Sequence, residues 1–319
     1  MTIDRRRFIA ASLVSGFMVG GCSLRMPEID VPEFSPAGRF EAQLRLIEGK
    51  TDGTLGAEFF DTGTGRSVGL NRFDRFGHCS SFKLSLAAMV LALDARGAID
   101  ADRRIMWTQD DLMFVSPFTT RRLAEGATLR ELAEFTQKYS DNAAANILLR
   151  EVGGPAALTG FWRSIGDEVS RLDRYEPALN NVPVTEYRDT TNPFEMARTV
   201  AKLAFGDVLP PDQRTTLRQW MVDTPTGARR VRAGLPPRWR AGDKTGTSIW
   251  PDMRSLFVDI GFVEPSPKDG KARAPITFAT YYRAAETLDG TDPDAEAVLA
   301  ETGELLTEFA EVKEDWPVG

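Results

Sequence analysis

Strand-like runs sit at the two ends of this sequence and helix-like runs fill its middle, and that division restricts the fold more than any single residue does. Thr54–Asp61 turns through Asp61-Thr62-Gly63-Thr64-Gly65 into Arg66–Leu70, the pattern of a β-hairpin. From Ser80 to about Met221 apolar residues recur at spacings of three and four, as in Leu84-Ala87-Ala88-Leu91, Leu129-Leu132-Ala133 and Ala143-Ile147, which predicts helices. Three strand-like runs follow at Trp239–Thr247, Ser255–Val263 and Ile276–Tyr282, the last two separated by a polar loop with proline and glycine. A first helix carrying Phe40, Leu44 and Ile47 precedes the hairpin, and a helix from about Pro293 to Phe309 closes the chain. Strands do not alternate with helices, which argues against βαβ winding. The expected architecture is α/β (α+β): an antiparallel five-stranded sheet built from both ends of the chain and flanked by helices, with an inserted all-α subdomain. A site is then expected in the cleft between the two parts. The α/β part is expected at about 38–78 and 222–319 and the all-α part at about 79–221.

Composition narrows the function classes. At 319 residues, 42% hydrophobic and 27% charged, the chain can bury a large core and is neither a disordered tail nor a fibrous repeat. The net charge is -7 and the basic residues are scattered, which argues against a nucleic-acid-binding face. A single histidine, His78, excludes multi-histidine zinc sites and leaves a Ser-His-Asp triad only one possible base. Two cysteines, Cys22 and Cys79, rule out a disulfide-built scaffold and a cysteine-rich metal site.

Residues 1–21 read as an export signal: Asp4-Arg5-Arg6-Arg7-Phe8-Ile9, an apolar stretch from Phe8 to Val19, then Val19-Gly20-Gly21-Cys22. The apolar run is much shorter than the roughly 20 residues a bilayer-spanning helix needs. The paired arginines before Phe-Ile resemble the twin-arginine signal that bacteria use to export folded proteins. The small-small-Cys ending resembles a lipoprotein processing site, with Cys22 as the lipidated first residue; the other reading is ordinary cleavage nearby, with Cys22 discarded or free. Pro27, Pro32 and Pro36, with acidic residues between them, suit a tether over 22–37, and the folded domain is expected to start near Gly38. These features together predict a periplasmic or otherwise exported protein whose membrane contact is confined to a lipid on Cys22. Nothing signals an oligomer, and monomer is the default.

Ser80-Ser81-Phe82-Lys83 places a hydroxyl and an amine three residues apart, on one face of a helical turn if Ser80 opens the helix that follows. A serine is a poor nucleophile until a base takes its proton, and free N–H groups at a helix start favour developing negative charge. Alone the pattern is weak, and a helix cap followed by a solvated lysine explains it equally. Against that reading, the chain has only eight lysines and this one sits in an apolar helix pattern beside Leu84, Leu86 and Ala87. Ser140-Asp141-Asn142 precedes the helical run Ala143–Leu149, where its plain reading is an N-cap cluster. Lys244-Thr245-Gly246-Thr247 lies in a predicted strand, where a glycine allows close approach to the backbone and the plain reading is an edge strand.

In this order the three segments resemble the Ser-x-x-Lys, Ser-Asp-Asn and Lys-Thr-Gly set of class A β-lactamases and penicillin-binding proteins. A fourth segment, Arg171-Leu172-Asp173-Arg174-Tyr175-Glu176-Pro177-Ala178-Leu179-Asn180, ending at Arg188-Asp189-Thr190-Thr191, resembles the Ω-loop of class A β-lactamases. The spacings from Ser80 to Ser140, Glu176 and Lys244 fit that family without a shift, and the similarity runs from about Phe40 to Phe309.

The resemblance implies the roles. Ser80 would attack the lactam carbonyl and form an acyl-enzyme, with Lys83 and Glu176 both candidate bases for that step. Lys83 and Lys244, sharing one cleft, would each lower the other's pKa. The backbone N–H groups of Ser80 and Thr247 would form the oxyanion hole, and Ser140 would pass a proton to the departing nitrogen. Lys244, Thr245 and Thr247 would hold the substrate carboxylate, with help from Arg230, and Asn142 would contact the side-chain amide. Glu176 and Asn180 would hold the water that attacks the ester, the step separating a hydrolase from a protein merely poisoned by its ligand. Arg174 and Asp189 would close the Ω-loop as an ion pair. No metal or organic cofactor is expected. His78 reads as a packing or capping residue and Cys79 as a buried small side chain.

Two departures bear on substrate range. In the carbapenem-hydrolysing branch a cysteine at the position of Cys79 is bridged to one just after Lys-Thr-Gly-Thr, and here that position is Ser248. Val115, in Phe114-Val115-Ser116-Pro117, stands where family members usually carry an aromatic residue. The expected activity is β-lactam hydrolysis. The alternatives are a D-Ala-D-Ala peptidase or a β-lactam-binding sensor that acylates and stays acylated.

Overall fold

A computed structural model describes residues 35–312. The export signal at 1–21, Cys22 and most of the tether lie outside the described residues. The sheet has five strands, β1 (Thr54–Asp61), β2 (Ser67–Leu70), β3 (Arg240–Ser248), β4 (Leu256–Glu264) and β5 (Ile276–Arg283), in the order β2-β1-β5-β4-β3. All neighbours are antiparallel, and β5 joins the two ends of the chain. It pairs with β1 from Thr54↔Arg283 to Asp61↔Ile276 and with β4 from Leu256↔Arg283 to Val263↔Ile276.

The sequence explains the layers. In β4, Leu256, Val258, Ile260 and Phe262 face one apolar layer while Phe257 and Val263 face the other, so the strand is covered on both sides and loses the polar alternation of a half-exposed strand. One face carries α1 (Pro36–Glu48) and α9 (Pro293–Glu311), through Phe40, Leu44, Ile47, Leu299, Leu306 and Phe309. The other face meets the inserted helical block: α2 (Phe82–Ala95), α3 (Pro117–Arg121), α4 (Leu129–Tyr139), α5 (Asn142–Glu151), α6 (Pro155–Ser164), α7 (Pro193–Ala204) and α8 (Pro211–Val222). Apolar on nearly every side, α2 is the buried axis of this block, packed against α4, α5, α6 and α8. Lys83 is therefore an amine inside a core helix.

Three boundaries differ from the sequence expectation. The first helix takes in Pro36 and Ala37, which the proline pattern assigned to the tether. Proline is favoured at the first helical position because its missing N–H has no partner there, and the Ser35 side chain caps Gly38 N. Both α7 and α8 belong in sequence to the all-α stretch, yet α7 packs on β1, β4 and β5 and α8 on β3. Ser80 does not open α2: it lies in a separate 3₁₀ turn, Cys79–Ser81, and the helix starts at Phe82.

Candidate active site

The turn that carries Ser80 packs against β3. Cys79 takes a left-handed backbone (φ 46), which a cysteine adopts only when its surroundings impose it. The turn runs directly into α2 with helical backbone at Ser81 and Phe82, so Lys83, three residues on, still faces Ser80, with Nζ 2.8 Å from Oγ. The same amine donates to Ser140 O at 3.0 Å, to Ser140 Oγ at 3.3 Å and to Asn142 Oδ1, and it pairs with Glu176 Oε1 at 3.1 Å. Three separate sequence segments thus converge on one buried amine.

Ser140 reaches Lys83 because the chain reverses there. It ends α4 in a left-handed conformation (φ 59), and the next residue, Asp141, caps α5 by accepting from Ala144 N at 2.8 Å. The buried Asp141 carboxylate also accepts Phe118 N at 2.9 Å and Thr119 N at 3.0 Å, which fixes the turn against the preceding loop. Both readings of Ser-Asp-Asn therefore hold at once. Asp141 is the cap, while Ser140 and Asn142 face the amine. Asn142 is held in turn by the rim, its Nδ2 donating to Phe114 O and its N–H to Val115 O. Val115 also has a left-handed backbone (φ 54), rare for a β-branched residue, and Phe114 and Val115 stand exposed at the cleft mouth.

Glu176 is fixed at three points. Asn180 Nδ2 donates to its Oε2 at 2.6 Å, and the Asn146 side chain both donates to Glu176 O and accepts from Glu176 N, each at 2.9 Å. Asn146 is absent from the sequence-derived site. Its one signal is its position four residues after Asn142, on the same face of α5. The surrounding loop closes through Arg174 and Asp189, 2.5 Å apart, and the buried Asp189 carboxylate also accepts the N–H groups of Asp173 and Arg174. Ser248 Oγ donates to Asn180 O at 2.8 Å and so ties β3 to this loop.

On the opposite wall, Lys244 is fully buried, its Nζ donating to Ser140 Oγ at 3.2 Å and to Thr245 O at 2.7 Å. Burial first, and the nearby charge of Lys83 second, hold this amine well below the usual lysine range, against the opposing pull of Asp243. The Ser140 hydroxyl stands between two amines, a position from which a proton can be passed on. Thr245 and Thr247 line the cleft, whereas the Lys244 amine lies behind Ser140. Thr245 Oγ1 donates at 2.6 Å to Oγ1 of Thr226, a cleft residue that no motif marks.

Arg230 is almost wholly buried. Its Nη1 donates to Gly246 O at 2.8 Å and Val258 O at 2.6 Å, and its Nη2 to Thr247 Oγ1 at 2.6 Å. It thus fixes the strand segment Gly246–Thr247 and aims the Thr247 hydroxyl. Arg232, paired with the buried Asp243 at 2.5 Å, supports the same strand from behind.

The two residues before Ser80 do no acid–base work. His78 stacks on Trp162 with ring centroids 4.8 Å apart and planes within 6°, and burial drops its pKa to about 3, leaving it neutral near pH 7. Burial, reinforced by the Glu176 charge, pushes the Cys79 thiol up to about 12, so it is not a nucleophile at neutral pH. A cleft of about 580 Å³ has Ser80, Ser140, Asn142, Glu176, Asn180 and Thr247 on its walls.

The pattern that defines the β-lactamase enzyme family matches residues 39–310. The carbapenem-hydrolyzing β-lactamase KPC of Klebsiella oxytoca is 40% identical over 262 residues, covering 82% of this chain and 86% of that protein. A β-lactamase of Streptomyces fradiae is 38% identical over 311 residues, covering 95% of this chain and 96% of the relative. Among solved structures, a class A β-lactamase representing the last common ancestor of Gram-negative bacteria superposes with a TM-score of 0.78 at 45% identity, over 85% of this chain and 98% of that one. The match spans the helical block and both ends of the sheet alike, and the chain belongs to the β-lactamase enzyme family, within its class A.

Proposed function

We propose that this protein hydrolyses the β-lactam ring of penicillin- and cephalosporin-type antibiotics through an ester on Ser80, and so confers resistance to them. One observation carries the reading: the Lys83 amine joins Ser80 Oγ, Ser140 and Glu176, while Asn180 holds the other oxygen of Glu176. Ser80 Oγ attacks the lactam carbonyl, its proton leaves toward Lys83 or through it toward Glu176, and the developing oxyanion meets the N–H groups of Ser80 and Thr247. The C–N bond then breaks and the nitrogen takes a proton from Ser140. A water between Glu176 and Asn180 loses its proton to Glu176 and attacks the ester, and Ser80 leaves as its oxygen takes that proton back through Lys83. The Glu176–Asn180 pair, which can hold a water against a β-lactam ester, favours the hydrolase over a penicillin-binding peptidase or a sensor, both of which stay acylated by the drug. A time course with a chromogenic cephalosporin, using a fragment beginning at Ser23, tests this. Sustained turnover is expected; a burst of one equivalent that then stalls would mean a penicillin-binding peptidase or sensor.

We also place the working enzyme outside the cytoplasm as a monomer, exported through the Arg5-Arg6 signal and anchored by a lipid on Cys22. The twin arginines and the Gly20-Gly21-Cys22 ending support export and anchoring, and a site built from one chain supports the monomer. An Arg5→Lys, Arg6→Lys variant of the full chain is expected to stay in the cytoplasm; normal export of that variant overturns the assignment.

A further inference from the structure

The cleft extends past the residues assigned to the substrate carboxylate. Beyond Thr245, Thr247 and Arg230 its wall continues through Arg229, Thr291 and Glu296, between the loop before Val231 and the start of α9. Glu296, itself nearly buried, holds two guanidinium groups side by side: Arg229 Nε donates to Oε2 at 2.7 Å, and Arg230 Nε lies 3.5 Å from Oε1.

The two arginines differ in what remains of their donors. The Arg230 side chain is 4% exposed and both its Nη atoms are engaged by Gly246, Val258 and Thr247. The Arg229 side chain is 72% exposed, and among the described residues nothing bonds its two Nη atoms.

We propose that Arg229 is a specificity-determining residue that recognises a second anionic group on the β-lactam, carried on the ring atom beside the carboxylate-bearing carbon. This rests on the hydrolase reading above. With its carbonyl at Ser80 and its carboxylate at Thr245 and Thr247, a bicyclic β-lactam has only that neighbouring substituent to send into the arm toward Arg229. The free Nη edge then meets a carboxylate with two N–H donors and repels a cation.

Three cephalosporins sharing one acyl side chain, with ring arms ending in a carboxylate, a carboxamide or a quaternary ammonium, test the inference. Exposed charge contacts are weak, so the parent enzyme is expected to favour the anionic over the cationic arm in kcat/KM by about five-fold. The preference is carried by KM and shrinks at about 0.5 M salt, where the Debye length is only a few ångströms. Arg229→Gln is expected to bring the ratio near one, and Arg229→Lys, which keeps the charge but loses the two-donor fork, to keep only part of it. A role confined to bracing Glu296 would shift all three substrates equally. The inference is overturned if Arg229→Gln keeps the parental ratio while still turning over the carboxamide arm. Failure of the parent enzyme on all three substrates would overturn the hydrolase reading, and this inference with it.

Discussion

Replacing Glu176 by alanine is expected to stop turnover after one equivalent of penicillin, with the drug's mass retained on the protein. Lys83 Nζ lies 2.8 Å from Ser80 Oγ and 3.1 Å from Glu176 Oε1, so the lysine, rather than the glutamate, is the direct neighbour of the nucleophile. Removing the carboxylate leaves the Ser80–Lys83 contact and the Ser140 and Asn142 contacts of the amine in place. Formation of the ester therefore continues. Its hydrolysis loses the general base and the anchor that Asn180 uses, for which a loss of about 10²–10⁴-fold is expected. Ser80→Ala gives the opposite result: Lys83 keeps its other partners, the fold survives, and no adduct forms. Intact-mass measurement of both variants after addition of a penicillin separates the steps. An adduct on the Ser80→Ala protein would remove Ser80 as the nucleophile, and undiminished turnover by Glu176→Ala would remove Glu176 from deacylation.

The parts of this site legible in the sequence are those in which local chemistry and pattern coincide. Ser80 and Lys83 stand out because an amine is out of place in a helix as apolar as α2, and the anomaly remains in three dimensions, where Lys83 is wholly buried. Arg174 and Asp189 could be paired because both belong to one recognisable loop. Asn146, Thr226 and Arg232 could not be found that way. Asn146 works through the backbone of Glu176, and Thr226 meets a hydroxyl on a strand distant in sequence. Arg232 is one of many scattered arginines until Asp243 is folded against it. Each gains its role only when segments far apart in the chain meet. Element ends slipped for a related reason. Whether Pro36 closes a tether or opens a helix depends on the apolar face of Phe40, Leu44 and Ile47 finding α9, which proline content does not encode.

Gly246 supplies a second large effect, and it comes from space rather than from backbone freedom. The glycine lies in β3 opposite the Cys79–Ser81 turn, where an added Cβ would stand 2.8 Å from Cys79 Cβ, 2.9 Å from Ser80 N and 3.0 Å from His78 O. Two of those three atoms are backbone, and the turn is already constrained by the left-handed Cys79, so it cannot yield as a flexible side chain would. Gly246→Ala must instead push the strand and the turn apart. The N–H groups of Ser80 and Thr247, assigned to the oxyanion, lie on the two sides of that contact, so separating them loosens the pair of donors that has to meet one oxygen. Loss of a single such donor costs about 10²–10³-fold in kcat, and a loss in that range is expected here. Arg230, bonded to both Gly246 O and Thr247 Oγ1, carries the displacement to the carboxylate wall as well, so KM rises in parallel. Single-turnover acylation rates, read beside a thermal melt showing that the variant is folded, decide the matter. A folded Gly246→Ala enzyme that acylates within about three-fold of the parent would mean that the close approach of β3 to the nucleophile turn serves packing alone, since removing one oxyanion donor is expected to cost far more.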